Sequence, residues 1–129
     1  MANIETTNNK TRGIVLWEPV HEDAVAVFGG AATWPAGSVL GKVTASGKYA
    51  RFTPGAADGS EVPIAVLSQD VEAAGAGDVA IRPLIAGRVR AGDLVNNVDA
   101  ALTAVQIDQL RDYSIIALGT TQLAELDNQ

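Results

Sequence analysis

The residues of this chain that could take part in chemistry are few and scattered. Its one histidine, His21, is followed directly by Glu22 and Asp23, and these three side chains together could bind a metal ion. Successive side chains of a strand point to opposite faces, so the three would not converge, and the chain has no cysteine to complete a site. We therefore interpret His21 as an exposed structural residue and expect no metal site.

Five acidic residues surround the middle of the chain, and two carboxylates held close together could do acid–base catalysis. The sequence shows no pair that converges, and most of the five stand in or beside predicted turns. The serines lack the sequence context of a nucleophile elbow, and no glycine pair precedes a helix as in a phosphate-binding loop. We expect no catalytic site and no cofactor. The five residues are Asp58, Glu61, Asp70, Glu72 and Asp78.

Two arginines and two tryptophans could instead contact a partner protein. Arg88 and Arg90 are two positions apart, so in a strand they share one face. That face could meet an acidic partner or a symmetry mate, or it could simply be solvated. Trp17 and Trp34 could each anchor an interface, where tryptophan is enriched, although Trp34 before a proline also fits a packed corner. We predict Trp34, Arg88 and Arg90 as interface residues.

Composition excludes several classes of function. The chain has 129 residues, a length typical of one domain, with 15 acidic against 9 basic residues and a net charge of −6. This balance repels phosphates, so we expect no nucleic-acid partner. No apolar run approaches the roughly 20 residues of a membrane span, and the polar N-terminus lacks the apolar region of a signal peptide. We expect no membrane association and a protein that stays where it is made.

Turn-separated strands dominate the first two thirds of the sequence. The run before Pro19 predicts a short strand that this proline stops. Residues 38–53 predict a hairpin whose turn is Ser46-Gly47, and Asp58-Gly59 predicts a further turn. Residues 62–73 predict one strand buried on both faces, because its start is almost continuously apolar.

The remainder predicts strands and one helix. Residues 79–95 predict two strands broken near Pro83 or Gly87. Thr103 with Gln106 three residues later predicts a capping box, opening a helix that ends near residues 112–114. Residues 114–118 are β-branched and predict a closing strand. Short strands spaced in this way favour a small barrel or sandwich.

The first 13 residues are polar and rich in Asn and Thr. We predict a flexible arm over residues 1–13, followed by a single β-rich domain over residues 14–129. The arm leads into the β-prone run at residues 14–17, and extended chain of this kind can add a strand to an exposed sheet edge of a partner.

Four stretches of the chain resemble the head decoration proteins of tailed bacteriophages, the family typified by the lambda decoration protein D. The resemblance runs from a first strand through a central unit and the following strands to a closing helix with its β-branched exit. The sequence departs from the family pattern at Ala65 and Ser114, where glycine is expected, and in a longer tail from Gly119. The stretches are "PAGSVLGKVT" (35–44), "GKYARFTPGAADGSEVPIAVLSQDV" (47–71), "GDVAIRPLIAGRVRAGDLV" (77–95) and "ALTAVQIDQLRDYSIIAL" (101–118).

This resemblance implies a mainly β fold, a small β-barrel or tulip-like domain with one short C-terminal helix and an extended N-terminal arm. It implies a structural protein without enzymatic activity, made in the host cytoplasm and located in the virion on the outer capsid surface.

The partner implied is the major capsid protein of a tailed phage, bound by a homotrimer that caps three-fold and quasi-three-fold positions and reinforces the expanded head against DNA pressure. The main alternative is a small β-clip or barrel binding module, and an enzyme that uses the acidic residues is the least favoured. By position in the family we predict that the arm and the β-prone run after it contact the capsid through Ile4, Ile14, Val15, Leu16 and Trp17.

Overall fold

The computed structural model describes residues 15–118, and it confirms the mainly β fold with one main helix. A short 3-10 helix at Ala91–Asp93 follows the ninth strand. The strands are β1 (Val15–His21), β2 (Ala24–Phe28), β3 (Ala32–Trp34), β4 (Val39–Lys42), β5 (Tyr49–Arg51), β6 (Ala65–Val66), β7 (Val71–Ala73), β8 (Gly77–Ile81), β9 (Leu84–Arg90) and β10 (Ile115–Leu118), and the helix α1 spans Ala104–Arg111.

Eight of the strands form one curled, half-barrel sheet. Its order is β1-β9-β6-β4-β5-β2-β8, with β10 parallel to β9, and β3 and β7 form a separate two-stranded sheet. The pairs at the two ends of this order, β1 with β9 and β2 with β8, together form one long antiparallel pair that bends at a corner, and we call it the bent ribbon. β1 pairs with β9 up to His21 opposite Leu84, and β2 pairs with β8 from Ala24 opposite Ile81. Between them the Glu22 N–H donates to the Pro83 carbonyl at 3.1 Å, so the pairing continues through the corner.

The prediction that Pro19 stops the first strand was wrong, because β1 runs through it to His21. The pairing between β1 and β9 shifts its register between Trp17 and Val20. Proline lacks the N–H that a regular ladder requires, and an irregular stretch of pairing accommodates it.

The predicted hairpin is confirmed. β4 and β5 pair antiparallel, with Leu40 opposite Arg51 and Lys42 opposite Tyr49. The connection is longer than the predicted two-residue turn. The Val43 N–H donates to the Lys48 carbonyl, so residues 44–47 form the connection between the two strands. Gly47 lies at φ +72°, the left-handed conformation that glycine adopts without strain.

The prediction of one strand over residues 62–73 was wrong in extent and right in burial. Residues 65–68 are all buried, but the chain then leaves the main sheet, and β7 pairs with β3 instead. The polar sequence Ser68-Gln69-Asp70 makes this change of direction. The Asp70 carboxylate accepts a 2.7 Å hydrogen bond from the Ala36 N–H, which fixes the turn beside the start of β4.

The predicted helix and its capping box are confirmed. The Thr103 hydroxyl accepts a hydrogen bond from the Gln106 N–H at 3.2 Å, and the Gln106 side chain accepts one from the Thr103 N–H at 3.0 Å. Leu110 is fully buried. The helix ends at Arg111, and Ser114 then adopts φ +71° before β10 begins. The break between β8 and β9 falls at Pro83, one of the two predicted positions.

Two hydrophobic cores lie on opposite faces of β4 and β6. Neighbouring residues of these strands alternate between them, with Val39 and Val66 in the first core and Leu40 and Ala65 in the second. The first core consists of Val39, Phe52, Val66, Leu84, Val89, Leu94, Leu102, Leu110 and Ile115. The second core consists of Ala26, Phe28, Trp34, Leu40, Tyr49, Ala65, Leu67, Ala73 and Ile81.

Candidate docking edge

The strand β1 lies at one end of the sheet order and pairs with β9 along one side. Its other side has no strand partner among residues 15–118, and we call this side the open edge of β1. A row of backbone N–H and C=O groups at such an edge can accept an extended segment of another chain. β1 begins at Val15 and contains the predicted contact residues Leu16 and Trp17, whereas Ile4 and Ile14 lie outside the described residues.

The predicted interface arginines lie in the strand beside this edge. In the register of β1 and β9, Trp17 stands opposite Arg88. Val89 is fully buried in the first core, so Arg88 and Arg90 on either side of it face away from that core. The structure therefore brings the backbone of one predicted contact residue next to one predicted interface residue.

The same face continues onto β10. Ile116 pairs with Arg88, and Leu118 pairs with Arg90, in a parallel register that places paired side chains on the same side of the sheet. We call the surface formed by Arg88, Arg90, Ile116 and Leu118 the outer face. A hollow of about 360 Å³ lies in it, lined by Ala86, Gly87, Arg88, Ser114 and Ile116.

The outer face combines positive charge with partly buried apolar side chains. Arg90 Nε lies 3.5 Å from Asp93 Oδ2, and both side chains are more than a third exposed, so this ion pair is weak. The sequence analysis assigned Ile116 and Leu118 to a strand but missed their place on this face. An apolar run does not reveal which side of a sheet each residue faces, and the parallel pairing with β9 decides it here.

Trp34 occupies a different part of the molecule. Its ring stacks on Phe28 with the ring centroids 3.9 Å apart and an interplanar angle of 18°. The side chain is 7% exposed and belongs to the second core. This agrees with the interpretation of Trp34 before Pro35 as a packed corner. Its interface role stays a prediction, and little of the side chain is accessible in the protomer.

His21 lies at the corner of the bent ribbon, and it is partly buried rather than exposed as predicted. Its Nε2 is 3.2 Å from the hydroxyl of the buried Ser68, and both residues line a hollow of about 220 Å³. Burial lowers the pKa of His21, and the nearby positive charge of Arg82 lowers it further. The neighbours of His21 in the chain turn elsewhere, with Glu22 accepting from the Tyr49 hydroxyl at 3.4 Å and Asp23 pairing with Arg82 at 3.1 Å.

The five acidic residues considered for catalysis are spread over turns and strands. Asp58 accepts hydrogen bonds from the hydroxyl and the N–H of Ser60, which lower the pKa of its carboxyl group. Glu61 accepts from the Gly59 N–H at 2.8 Å, and Asp78 pairs with Lys48 at 2.7 Å. Among residues 15–118 no three His, Asp or Glu side chains come together in a group that could hold a metal ion.

The sequence analysis also missed an ion pair that fixes the loop before α1. Arg51 Nη2 donates to Asp99 Oδ1 at 2.6 Å, and Asp99 adopts φ +60° to present its carboxylate. The Arg51 side chain is 11% exposed. A positive φ at Asp cannot be read from the sequence, although Asp tolerates this conformation better than most residues.

No helix within the described part of the chain has the length and apolar character needed to cross a membrane. The geometry that stands out is an open strand edge next to a face that mixes positive charge with apolar side chains. Such surfaces serve recognition through main-chain pairing and complementary charge.

Comparison with models of known protein families identifies the family of this chain. The model of the family described as "Bacteriophage lambda head decoration protein D" matches residues 5–115. The chain belongs to this family of structural proteins of the phage capsid. Searches of the curated proteins and of the solved structures found no match.

Proposed function

We propose that this protein decorates the outer surface of an expanded phage head as trimers at its three-fold and quasi-three-fold positions. There it stabilises the shell against the pressure of the packaged DNA. The observation that carries the proposal is the family match over residues 5–115, which spans most of the chain. The structure supports it with a β core and the open edge of β1.

The proposed contact with the major capsid protein runs through the N-terminal arm. The arm, residues 1–13, leads directly into β1, so a partner strand that binds it can continue along the open edge. Main-chain hydrogen bonds then supply affinity that depends little on side-chain identity, which suits an arm rich in Asn and Thr. The proposed apolar contacts are Ile4, Ile14, Val15, Leu16 and Trp17.

The domain that follows, residues 14–129, is proposed to form the trimer. Arg88 and Arg90 are its proposed polar contacts, because they lie on the outer face and away from the first core. Trp34 is the third proposed interface residue, and its side chain is 7% exposed in the protomer. In a trimer each protomer presents its arm on the same side, so weak contacts add through effective concentration.

The test compares the full chain with a variant that lacks residues 2–13. Because β1 begins at Val15, we expect the shortened protein to keep its fold and trimeric mass but to bind expanded heads far more weakly. Thermal melting reports the fold, analytical ultracentrifugation reports the mass, and cosedimentation with heads at limiting protein concentration reports binding.

A matched control keeps the arm at full length and replaces residues 2–13 with a Gly/Ser sequence. If main-chain pairing dominates, this variant should retain part of the binding that the deletion loses. Equal head occupancy by the full and shortened chains would overturn the role of the arm. A strictly monomeric mass both free and on heads would overturn the trimer.

A further inference from the structure

Asp58 is the only aspartate or asparagine of the chain that is followed by glycine. In this pair an aspartate rearranges readily to isoaspartate, because glycine has no side chain to shield its N–H. The turn that the pair forms lies on the surface, and Asp58 is exposed. Sequence and exposure thus mark Asp58-Gly59 as a site of spontaneous chemical damage, and its contacts decide how fast that damage occurs.

The rearrangement needs no reactant other than water. The Gly59 nitrogen attacks Cγ of the Asp58 side chain, and a new C–N bond forms. The hydroxyl of the neutral carboxylic acid leaves as water together with the proton of the N–H, and a five-membered succinimide ring remains. Water then opens the ring at either carbonyl. Opening at the former backbone carbonyl gives isoaspartate, in which the main chain runs through the Asp58 side chain and is one carbon longer.

Ser60 holds the Asp58 carboxylate in its unreactive form. Asp58 Oδ1 accepts a hydrogen bond from the Ser60 hydroxyl at 2.6 Å and another from the Ser60 N–H at 3.0 Å. The hydroxyl, and then the N–H, lower the pKa of the Asp58 carboxyl group. A lowered pKa leaves a smaller fraction of neutral acid at neutral pH, and the neutral acid is the form that loses water readily. Ser60 therefore slows the first step of the rearrangement.

Glu61 acts on the other reacting group. The Gly59 N–H donates to Glu61 Oε1 at 2.8 Å. Attack on the Asp58 side chain requires this N–H to give up its proton. Loss of the proton would place a second negative charge beside the Glu61 carboxylate, and like charges in contact repel. The hydrogen bond therefore keeps the Gly59 amide protonated.

The backbone on both sides of the pair is fixed against the hairpin. The Thr44 N–H donates to the Asp58 carbonyl at 2.8 Å, and the Thr53 N–H donates to the Ser60 carbonyl at 2.9 Å. A Cβ atom on Gly59 would collide with the backbone at the end of β4. Isomerisation adds one carbon to the main chain between the two carbonyls, so it would disrupt this fit.

We propose that Ser60 and Glu61 protect the Asp58-Gly59 turn from isomerisation to isoaspartate. Folding supplies the protection, because Ser60 is buried and Gly59 is fixed against β4 only in the folded chain.

The benefit of this protection rests on the proposed function. A protein bound to a finished phage head cannot be replaced by new synthesis, so a damaged copy stays in the shell. Damage at residues 58 and 59 would loosen the turn that lies against β4, and β4 contributes residues to both hydrophobic cores. Protection of one turn thus preserves the whole domain.

Ageing of the purified full chain measures the protection without phage heads. The protein is incubated folded, at mildly acidic pH where more of the neutral acid is present, and in parallel in guanidinium chloride. Endoproteinase Asp-N cleaves before aspartate but not before isoaspartate, so mass spectrometry of its products gives the isomerised fraction at residue 58. We expect the folded chain to isomerise about tenfold more slowly than the unfolded chain, because the reaction then requires local opening. Equal rates would overturn the proposal.

Ser60→Ala tests the contact with the carboxylate. We expect isomerisation about three- to tenfold faster, the effect of one lost hydrogen bond to a charged group that is exposed to solvent. The matched control is Ser46→Ala in the turn of the hairpin, where the Ser46 hydroxyl accepts from the Lys48 N–H at 3.3 Å. A rate for Ser60→Ala no higher than that for Ser46→Ala would overturn the role of Ser60.

The pH profile separates this role from a loss of stability. Without the Ser60 hydroxyl the pKa of Asp58 rises, so the fall of the isomerisation rate with increasing pH should move to higher pH. A faster rate with an unshifted profile would show that Ser60→Ala only loosens the fold, and it would overturn the role of the hydroxyl.

Glu61→Gln tests the contact with the nitrogen. Glutamine keeps an acceptor for the Gly59 N–H but removes the negative charge, so we expect isomerisation about two- to fivefold faster. A slower rate would show that Glu61 takes up the proton and promotes the reaction, and it would overturn its protective role.

Binding to heads separates this inference from the proposed function. Absence of head binding, with the ageing rates as expected, would overturn the proposed function alone. Normal head binding, with equal ageing rates in the folded and the unfolded chain, would overturn the protection alone.

Discussion

The two hydrophobic cores differ in how they are built. The first core joins Phe52 to eight aliphatic residues from the sheet, α1 and the loops around it, and eight of its nine members are less than 2% exposed. The second core has three alanines, three aromatic residues and a polar corner where His21 meets Ser68. The first core thus draws its large aliphatic side chains from many elements, whereas the second contains more small side chains and one stacked pair of rings. We expect stability to reside mainly in the first core.

The largest effect should come from Phe52→Ala in the first core. Phe52 is 1% exposed and packs among residues from several elements, so the cavity cannot close easily. We expect the free energy of unfolding to fall by about 3–5 kcal/mol. Urea denaturation measures it, with Tyr113→Ala as the control, since that side chain is 44% exposed. A loss below that of Trp34→Ala would reverse the ranking of the two cores.

The stacked pair should dominate the energetics of the second core. A double-mutant cycle with Phe28→Leu and Trp34→Leu removes the ring contact while keeping an apolar side chain at both positions. We expect a coupling energy of about 1 kcal/mol, as for aromatic pairs in contact, from thermal or urea unfolding of the four proteins. Additive effects of the two substitutions would show that the rings contribute through burial alone.

A gain in stability is expected where the first core meets β10. Ser114 adopts φ +71°, and its carbonyl accepts a hydrogen bond from the Gly87 N–H at 3.0 Å. Ser114→Gly relieves the cost of a left-handed conformation but adds freedom to the unfolded chain, for a net gain of about 0.5–1 kcal/mol. The neighbouring exposed position Tyr113→Gly is the control, because it should lower the melting temperature, and a loss of stability in Ser114→Gly would contradict the strain argument.

The smallest effect concerns pH and the polar corner of the second core. The pKa of His21 is lowered in the folded protein, so as pH falls below about 6.5 the unfolded chain takes up the proton first. The unfolding free energy should therefore decrease slightly as pH falls from 7.5 toward the folded pKa. Urea midpoints at several pH values measure this decrease in unfolding free energy. His21→Gln should remove the part of the pH dependence that comes from His21 and leave the part that comes from carboxylates at lower pH. An unchanged pH profile in that variant would show that His21 does not couple protonation to folding.

Local signals in the sequence predicted much of the fold. The capping box at Thr103, the turn at Gly47 and the break at Pro83 were readable because each depends on the chemistry of a few adjacent residues. The family pattern expects glycine at position 114, and the positive φ of Ser114 gives the physical reason for that preference. The almost continuously apolar start of residues 62–73 indicated burial on both faces, though not that two separate cores lie there.

The errors arose where long-range pairing overrides local chemistry. Pro19 lies inside β1 because the pairing of β1 with β9 accommodates an irregular register. Residues 62–73 divide between two sheets because the Ala36 N–H binds the Asp70 carboxylate and fixes the turn between them. Of the candidate site, the sequence indicated that Arg88 and Arg90 share a face. It did not indicate that β10 extends this face with Ile116 and Leu118, since only the tertiary pairing brings the two segments together.

The bent ribbon has a consequence for the order in which the chain folds. Val15 pairs with Val89 and Phe28 pairs with Gly77, so the strands made first on the ribosome wait for partners that are synthesised much later. The hairpin of β4 and β5 closes a short loop and can form early, whereas closing the ribbon has the larger entropic cost and comes late. Until then β1 and β2 are exposed strands, at risk of pairing with another nascent chain. Fast release of the complete chain should thus favour soluble yield.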